Sequence, residues 1–89
     1  MPQVMNRNER LIDVRDINPL HRHTIIFQLI EHLAPGGSLQ LMADHPPRPL
    51  RYQVEARYGA LMKWSYLEEG PDVWRVLISR RARANPADD

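Results

Sequence analysis

The chain contains no cysteine, which excludes disulfides, thiolate metal sites and thiol nucleophiles. Lysine is nearly absent too, because Lys63 is the single lysine among the 12 basic residues. No run approaches the roughly 20 apolar residues that cross a membrane, and residues 1–8 lack the apolar segment of a secretory signal. These absences predict a cytoplasmic protein that neither spans nor binds a membrane.

Length and charge narrow the class further. The 89 residues fit one domain, and the net charge of +1 lacks the strongly basic surplus typical of nucleic-acid binders. We therefore expect no nucleic-acid partner. The composition predicts a single folded domain over residues 10–80, with flexible tails over 1–9 and 81–89.

Apolar periodicity and turn residues predict six regular elements in the order β-α-β-α-β-β. Their expected ranges, in chain order, are 10–14, 20–33, 38–43, 49–58, 61–67 and 73–79. Thr24 or the residues just before it would cap the first helix, and residues 68–72 would form a hairpin loop. The first two strands, joined through a helix, should be parallel, and the last two should be antiparallel.

A chain of this length has apolar helix surface for only two layers, so both helices should cover one face of the sheet. The predicted fold is α+β: a two-layer sandwich with a mixed four-stranded sheet. Trp64, Tyr66 and Trp74 should form the hairpin's packed core against the helices rather than a surface cluster. Arg75 and Leu77 should point to the opposite, partly wet face.

The densest chemistry lies in Asp44-His45-Pro46-Pro47-Arg48-Pro49-Leu50, which connects the second strand to the second helix. The loop after the first strand should end at the same rim, because ligands bind outside the carboxyl ends of parallel strands. Helix N-termini at that rim would favour an anion. The predicted ligand-binding residues are Arg15, His23, Asp44, His45 and Arg48. The alternative is that the prolines merely stiffen a connector.

Two other site chemistries stay open from the residues alone. His21, His23 and His45, with Asp44, supply donors for a transition metal such as zinc, copper or iron. Asp44 and His45 are also an acid–base pair, but no good nucleophile lies beside them in the sequence. Catalysis by this chain alone is therefore the least favoured hypothesis, and we assign no catalytic residue.

Several segments resemble one group of bacterial proteins, the uncharacterised domain-of-unknown-function family 2249. They are Leu11 to Asp16, Pro19 to Phe27, Leu33 to Gly36, Asp44 to Leu50 with the pattern D-H-x-P-R-P-L, and Tyr66 to Val76. The family is similar in fold to the TusA-type sulfur carriers, which implies the same β-α-β-α-β-β sandwich. Some relatives are joined to hemerythrin-like domains, which implies a redox or nitric-oxide context.

The sulfur carriers place a Cys-Pro-x-Pro motif after the first strand. Asp13 to Asp16 resembles their lead-in and Pro19 resembles a motif proline, but Asn18 lies nearest the place of the cysteine. Persulfide carriage needs a thiolate, so that activity does not transfer. The resulting expectation is a non-catalytic binding module for a small anion or a protein partner, with metal binding as the alternative.

Overall fold

A computed structural model describes residues 9–82 of the chain. Its strands are β1 (Glu9–Asp13), β2 (Ser38–Ala43), β3 (Met62–Glu69) and β4 (Trp74–Arg80), and its helices are α1 (Arg22–Glu31) and α2 (Arg48–Tyr58). Short 3₁₀ turns at Val14–Asp16, Pro19–His21 and Gly59–Leu61 complete the chain. The predicted order β-α-β-α-β-β is confirmed.

The four strands form one mixed sheet in the order β1-β2-β4-β3. β1 and β2 are parallel, with Asp13 opposite Met42, so both strands end at the same edge of the sheet. β4 runs antiparallel to both β2 and β3. The parallel β1–β2 pair and the antiparallel β3–β4 pair are those expected, whereas the β2–β4 pairing had not been predicted. The parallel pair places the loops that precede α1 and α2 side by side.

Both helices pack against the same face of the sheet, so the molecule is a two-layer α+β sandwich. Ile26 and Ile30 of α1 and Leu50 and Val54 of α2 are at most 3% exposed, and they join the sheet residues Leu39, Leu41, Val76 and Ile78 in one core. The spacing of three to four residues between the buried helix positions places them on one stripe of each helix.

The start of α1 differs from the prediction. The chain forms a 3₁₀ turn at Pro19–His21 before the helix begins at Arg22, because the Asn18 side chain accepts a hydrogen bond from the Leu20 N–H at 2.9 Å. Thr24 lies inside the helix, so its predicted capping role is wrong.

The hairpin is tighter than predicted. Glu68 and Glu69 belong to β3, opposite Arg75 and Trp74, and a bulge between Tyr66 and Glu68 accommodates the extra residue. Leu77 is half-buried rather than fully exposed.

The described residues include Glu9, Arg81 and Ala82, at the inner ends of the two predicted tails. Glu9 already pairs in β1. The Arg81 N–H donates to the Leu61 carbonyl at 2.9 Å. Residues 1–8 and 83–89 lie outside the described part. Over residues 9–82, no helix is long and apolar enough to cross a membrane.

Candidate functional site

A cleft of about 180 Å³ opens at the sheet edge where β1 and β2 end, between the N-termini of α1 and α2. Its floor is apolar and is formed by core side chains: Val14, Ile26, Leu41, Ala43 and Leu50. Its polar residues are Arg22, His23 and His45, and its remaining walls are Pro19, Pro47 and Pro49. We call this the strand-end cleft.

The connection between β2 and α2 separates two clefts. His45, Pro47 and Pro49 line the strand-end cleft, whereas Pro46 and Arg48 line a second cleft on the other side. The Arg48 N–H donates to the Pro46 carbonyl at 2.9 Å, so the chain turns tightly at Pro47, and α2 begins at Arg48. This turn places the two sets of side chains on different sides of the connection. The prolines therefore stiffen the loop and also form walls of both clefts.

The second cleft, which we call the aromatic cleft, has a volume of about 470 Å³ and includes Arg48, Arg51, Tyr66 and Trp74. Arg51 lies over the Tyr66 ring at 5.8 Å and pairs with Glu55 at 3.0 Å. The Tyr66 and Trp74 rings meet edge to face with centroids 6.0 Å apart. Arg48 thus lies apart from the two histidines with which it was predicted to act.

The aromatic cluster of the hairpin is confirmed as packing. Trp64 and Tyr66 are edge to face with centroids 6.1 Å apart, and both rings pack with Trp74 against the buried core. Edge-to-face ring contacts stabilise a pair of antiparallel strands by more than the burial of apolar surface alone would. One edge of the cluster, formed by Tyr66 and Trp74, reaches the aromatic cleft.

Arg15 is held by a neighbouring acid rather than by the cleft. Its Nε and Nη2 donate to the two carboxylate oxygens of Asp13 at 2.8 and 2.6 Å, and its Nη2 also lies 3.4 Å from the Met42 sulfur. The side-chain hydrogen bonds from Arg15 lower the pKa of Asp13 below its ordinary value, and the same contact raises the pKa of Arg15. This pair fixes the turn after β1 and lies outside the strand-end cleft.

Asp44 forms a hydrogen bond with the adjacent His45. The His45 Nδ1–H donates to Asp44 Oδ1 at 2.7 Å, with both side chains 61% exposed. This hydrogen bond is the main reason why the pKa of Asp44 is lowered, and Arg22 lowers it further through its charge. With Nδ1 engaged, Nε2 is the ring nitrogen of His45 available to a ligand in the cleft.

The two helix N-termini beside the cleft share an unusual composition. Neither α1 nor α2 has a side-chain N-cap bond among the described residues, and neither has an acidic residue in its first turn. Each begins instead with arginine, Arg22 or Arg48. A cation at a helix N-terminus opposes the helix dipole by roughly 0.3–1 kcal/mol, so a negative charge nearby would stabilise each helix start.

The sequence analysis missed Arg22. Its Nε donates to the Ile17 carbonyl at 2.9 Å, which holds the side chain at the cleft. Its charge also lowers the pKa of Asp13 and of Asp44. Its position between His21 and His23, at a helix start without an acid, was the available signal. Of the five predicted ligand-binding residues, only His23 and His45 line the strand-end cleft.

The three histidines proposed as metal ligands are not brought together. His23 and His45 share the cleft, but His21 lies in the preceding 3₁₀ turn and does not line it. Over the described range, no group of three His, Asp or Glu side chains is arranged to hold a metal ion. The predicted trio is therefore not a coordination site in this structure.

Residues 11–80 match the family model described as "Uncharacterized conserved protein (DUF2249)". The chain belongs to this family. No curated protein matches it. Among solved structures, it is similar to the solution structure of HP1264 from Helicobacter pylori, with a TM-score of 0.61 and 11% sequence identity over 81% of this chain and 97% of that one. This likeness supports the fold alone.

Proposed function

We propose that this member of the DUF2249 family is a non-catalytic module that binds a small anion in the strand-end cleft. The observation that carries the proposal is the meeting of two helix N-termini at one cleft, with neither an acid nor a side-chain cap in either first turn. The positive ends of both helix dipoles then favour a negative charge at the cleft. The Arg22 and Arg48 N–H groups already donate to the Pro19 and Pro46 carbonyls, and Pro49 has no N–H, so side chains supply most of the donors to an anion.

The side chains at the cleft support the same charge preference. Arg22 offers a guanidinium whose terminal nitrogens match the two oxygens of a carboxylate or phosphate. His23 and His45 add ring nitrogens, and Asp44, the acid beside His45, is bonded to Nδ1 and lies outside the cleft. Because its Nδ1–H is bonded to Asp44, His45 donates to an anion from Nε2 only as the imidazolium, whereas Arg22 donates in its permanent charged form. No carboxylate lines the cleft.

Binding is favoured over catalysis by the groups that line the cleft. None of the described residues that line it carries a hydroxyl or a carboxylate, so His23 and His45 are the side chains there that could act as a nucleophile or base. The volume of about 180 Å³ lies below the roughly 300–1,000 Å³ of pockets for drug-sized ligands. The ligand is accordingly small, or only its anionic end enters.

The test is isothermal titration of the purified chain with phosphate, sulfate and acetate. Arg22→Gln and His45→Gln should each weaken anion binding by about tenfold, since a hydrogen bond to a charged group contributes about 1.5–3 kcal/mol. Arg10→Gln is the matched control, because Arg10 is exposed on β1 and lies outside the cleft. Equal affinities in all three variants would refute the proposal.

A further inference from the structure

The floor of the strand-end cleft has a property that a purely inorganic anion would not use. Five apolar residues form it, and each is at most 6% exposed: Val14, Ile26, Leu41, Ala43 and Leu50. The cleft thus reaches the hydrophobic core, whereas its cationic and imidazole groups come from Arg22, His23 and His45. The lining therefore combines an apolar floor with three polar side chains.

We infer that the ligand of this cleft is a small aliphatic monocarboxylate, an inference that rests on the proposed anion-binding function. The carboxylate lies between Arg22 and the helix N-termini, and the alkyl group covers the apolar floor. A guanidinium and a carboxylate form two parallel hydrogen bonds, and transfer of the alkyl group out of water adds affinity. Phosphate alone would leave the floor without a partner.

The size of the cleft limits the length of the alkyl group. A volume of about 180 Å³ corresponds to about six water-sized units at roughly 30 Å³ each. A four-carbon acid such as butyrate has a comparable number of non-hydrogen atoms. Affinity should therefore increase with chain length as far as four or five carbons and then stop increasing.

The experiment is a calorimetric series with acetate, propionate, butyrate, pentanoate and octanoate on the wild-type chain, beside phosphate and butyramide. Each added methylene from acetate to butyrate should tighten binding about fourfold, and octanoate should gain nothing over pentanoate. Butyramide, which has the shape of butyrate without its charge, should bind at least tenfold more weakly than butyrate.

A cleft-filling variant gives an independent readout. Ala43 is 3% exposed and lies at the end of β2 on the floor. Ala43→Val adds two methyl groups there and should remove the advantage of butyrate over acetate, a ratio that is measured within the variant itself. The wild-type series decides the inference by itself if this variant does not fold.

The outcomes separate the two proposals. Binding of phosphate and acetate with no increase along the series would overturn the monocarboxylate and leave the anion-binding function standing. Failure of every anion to bind would refute both. Acetyl-glycyl-leucine tests whether the ligand is instead the carboxyl end of a peptide, because it carries a carboxylate and an isobutyl group. If it binds more tightly than 4-methylpentanoate, the assignment of the ligand as a free aliphatic acid is overturned.

Discussion

Ile26 and Ile30 provide a matched pair that tests whether the strand-end cleft exists. Both lie on the buried stripe of α1 one turn apart, at 2% and 0% exposure, and both belong to the same core. Ile26 lines the cleft, whereas Ile30 does not. Truncation of each to alanine removes the same atoms from the same helix, so differences in helix propensity cancel between the two.

The magnitudes follow from the surroundings. Removal of three buried carbons costs about 2.4 kcal/mol at roughly 0.8 kcal/mol for each carbon. At Ile30 the space left behind is closed on all sides and adds a cavity cost, so Ile30→Ala should lose about 3–5 kcal/mol of unfolding free energy. At Ile26 the truncation widens an existing cleft, so Ile26→Ala should lose only about 2–3 kcal/mol.

The assay is urea unfolding followed by far-UV circular dichroism, with the slope m compared between variants. If Ile30→Ala does not fold, Ile26→Val and Ile30→Val replace the pair at about 0.5–1.5 kcal/mol each, again with Ile30 the costlier. An equal loss at the two positions, or a larger loss at Ile26, would refute the cleft as described.

Two further predictions concern the turns. Gly70→Ala should destabilise the protein by about 2–3 kcal/mol, because φ is +64° and the new Cβ would lie 3.0 Å from the Trp74 ring. Gly36→Ala is the comparison: φ is +83°, but the new Cβ meets no atom within 4 Å, so the loss should be only about 1–2 kcal/mol. Thermal unfolding measures both losses. Similar losses would contradict the contact with Trp74. Asp13→Asn should lower stability at neutral pH, because the pKa of Asp13 is lowered in the folded state. The charged carboxylate therefore contributes stability above its ordinary pKa of 3.8, and this contribution is lost as the pH falls through the folded-state pKa. Unfolding curves from pH 7 to 2 should converge at the acid end, and a constant gap would contradict the Asp13–Arg15 pair.

The fold was largely predictable because its signals are local. Apolar residues at helical spacing in α1 and the turn chemistry around Gly36 and Gly70 each act within a few residues. Element boundaries were less predictable at α1, where the Asn18 side chain stabilises a 3₁₀ turn that competes with the helix start.

The candidate site was predictable only in position. The parallel pairing of β1 and β2 follows from the connection through α1, so the sequence indicated which loops share a rim. Which side chains face each other there depends on backbone direction at single residues. Arg48 and His45 are three residues apart, yet they line different clefts.

The sequence by itself determined the order of elements, the parallel pair, the exclusion of thiol chemistry and the rim at which polar residues gather. These depend on composition and on short-range periodicity. Only the tertiary structure decided that Arg22 joins His23 and His45 over an apolar floor and that His21 lies apart. The reason is physical: side chains from α1, β2 and α2 meet through packing between distant segments, and local sequence does not specify where their tips lie.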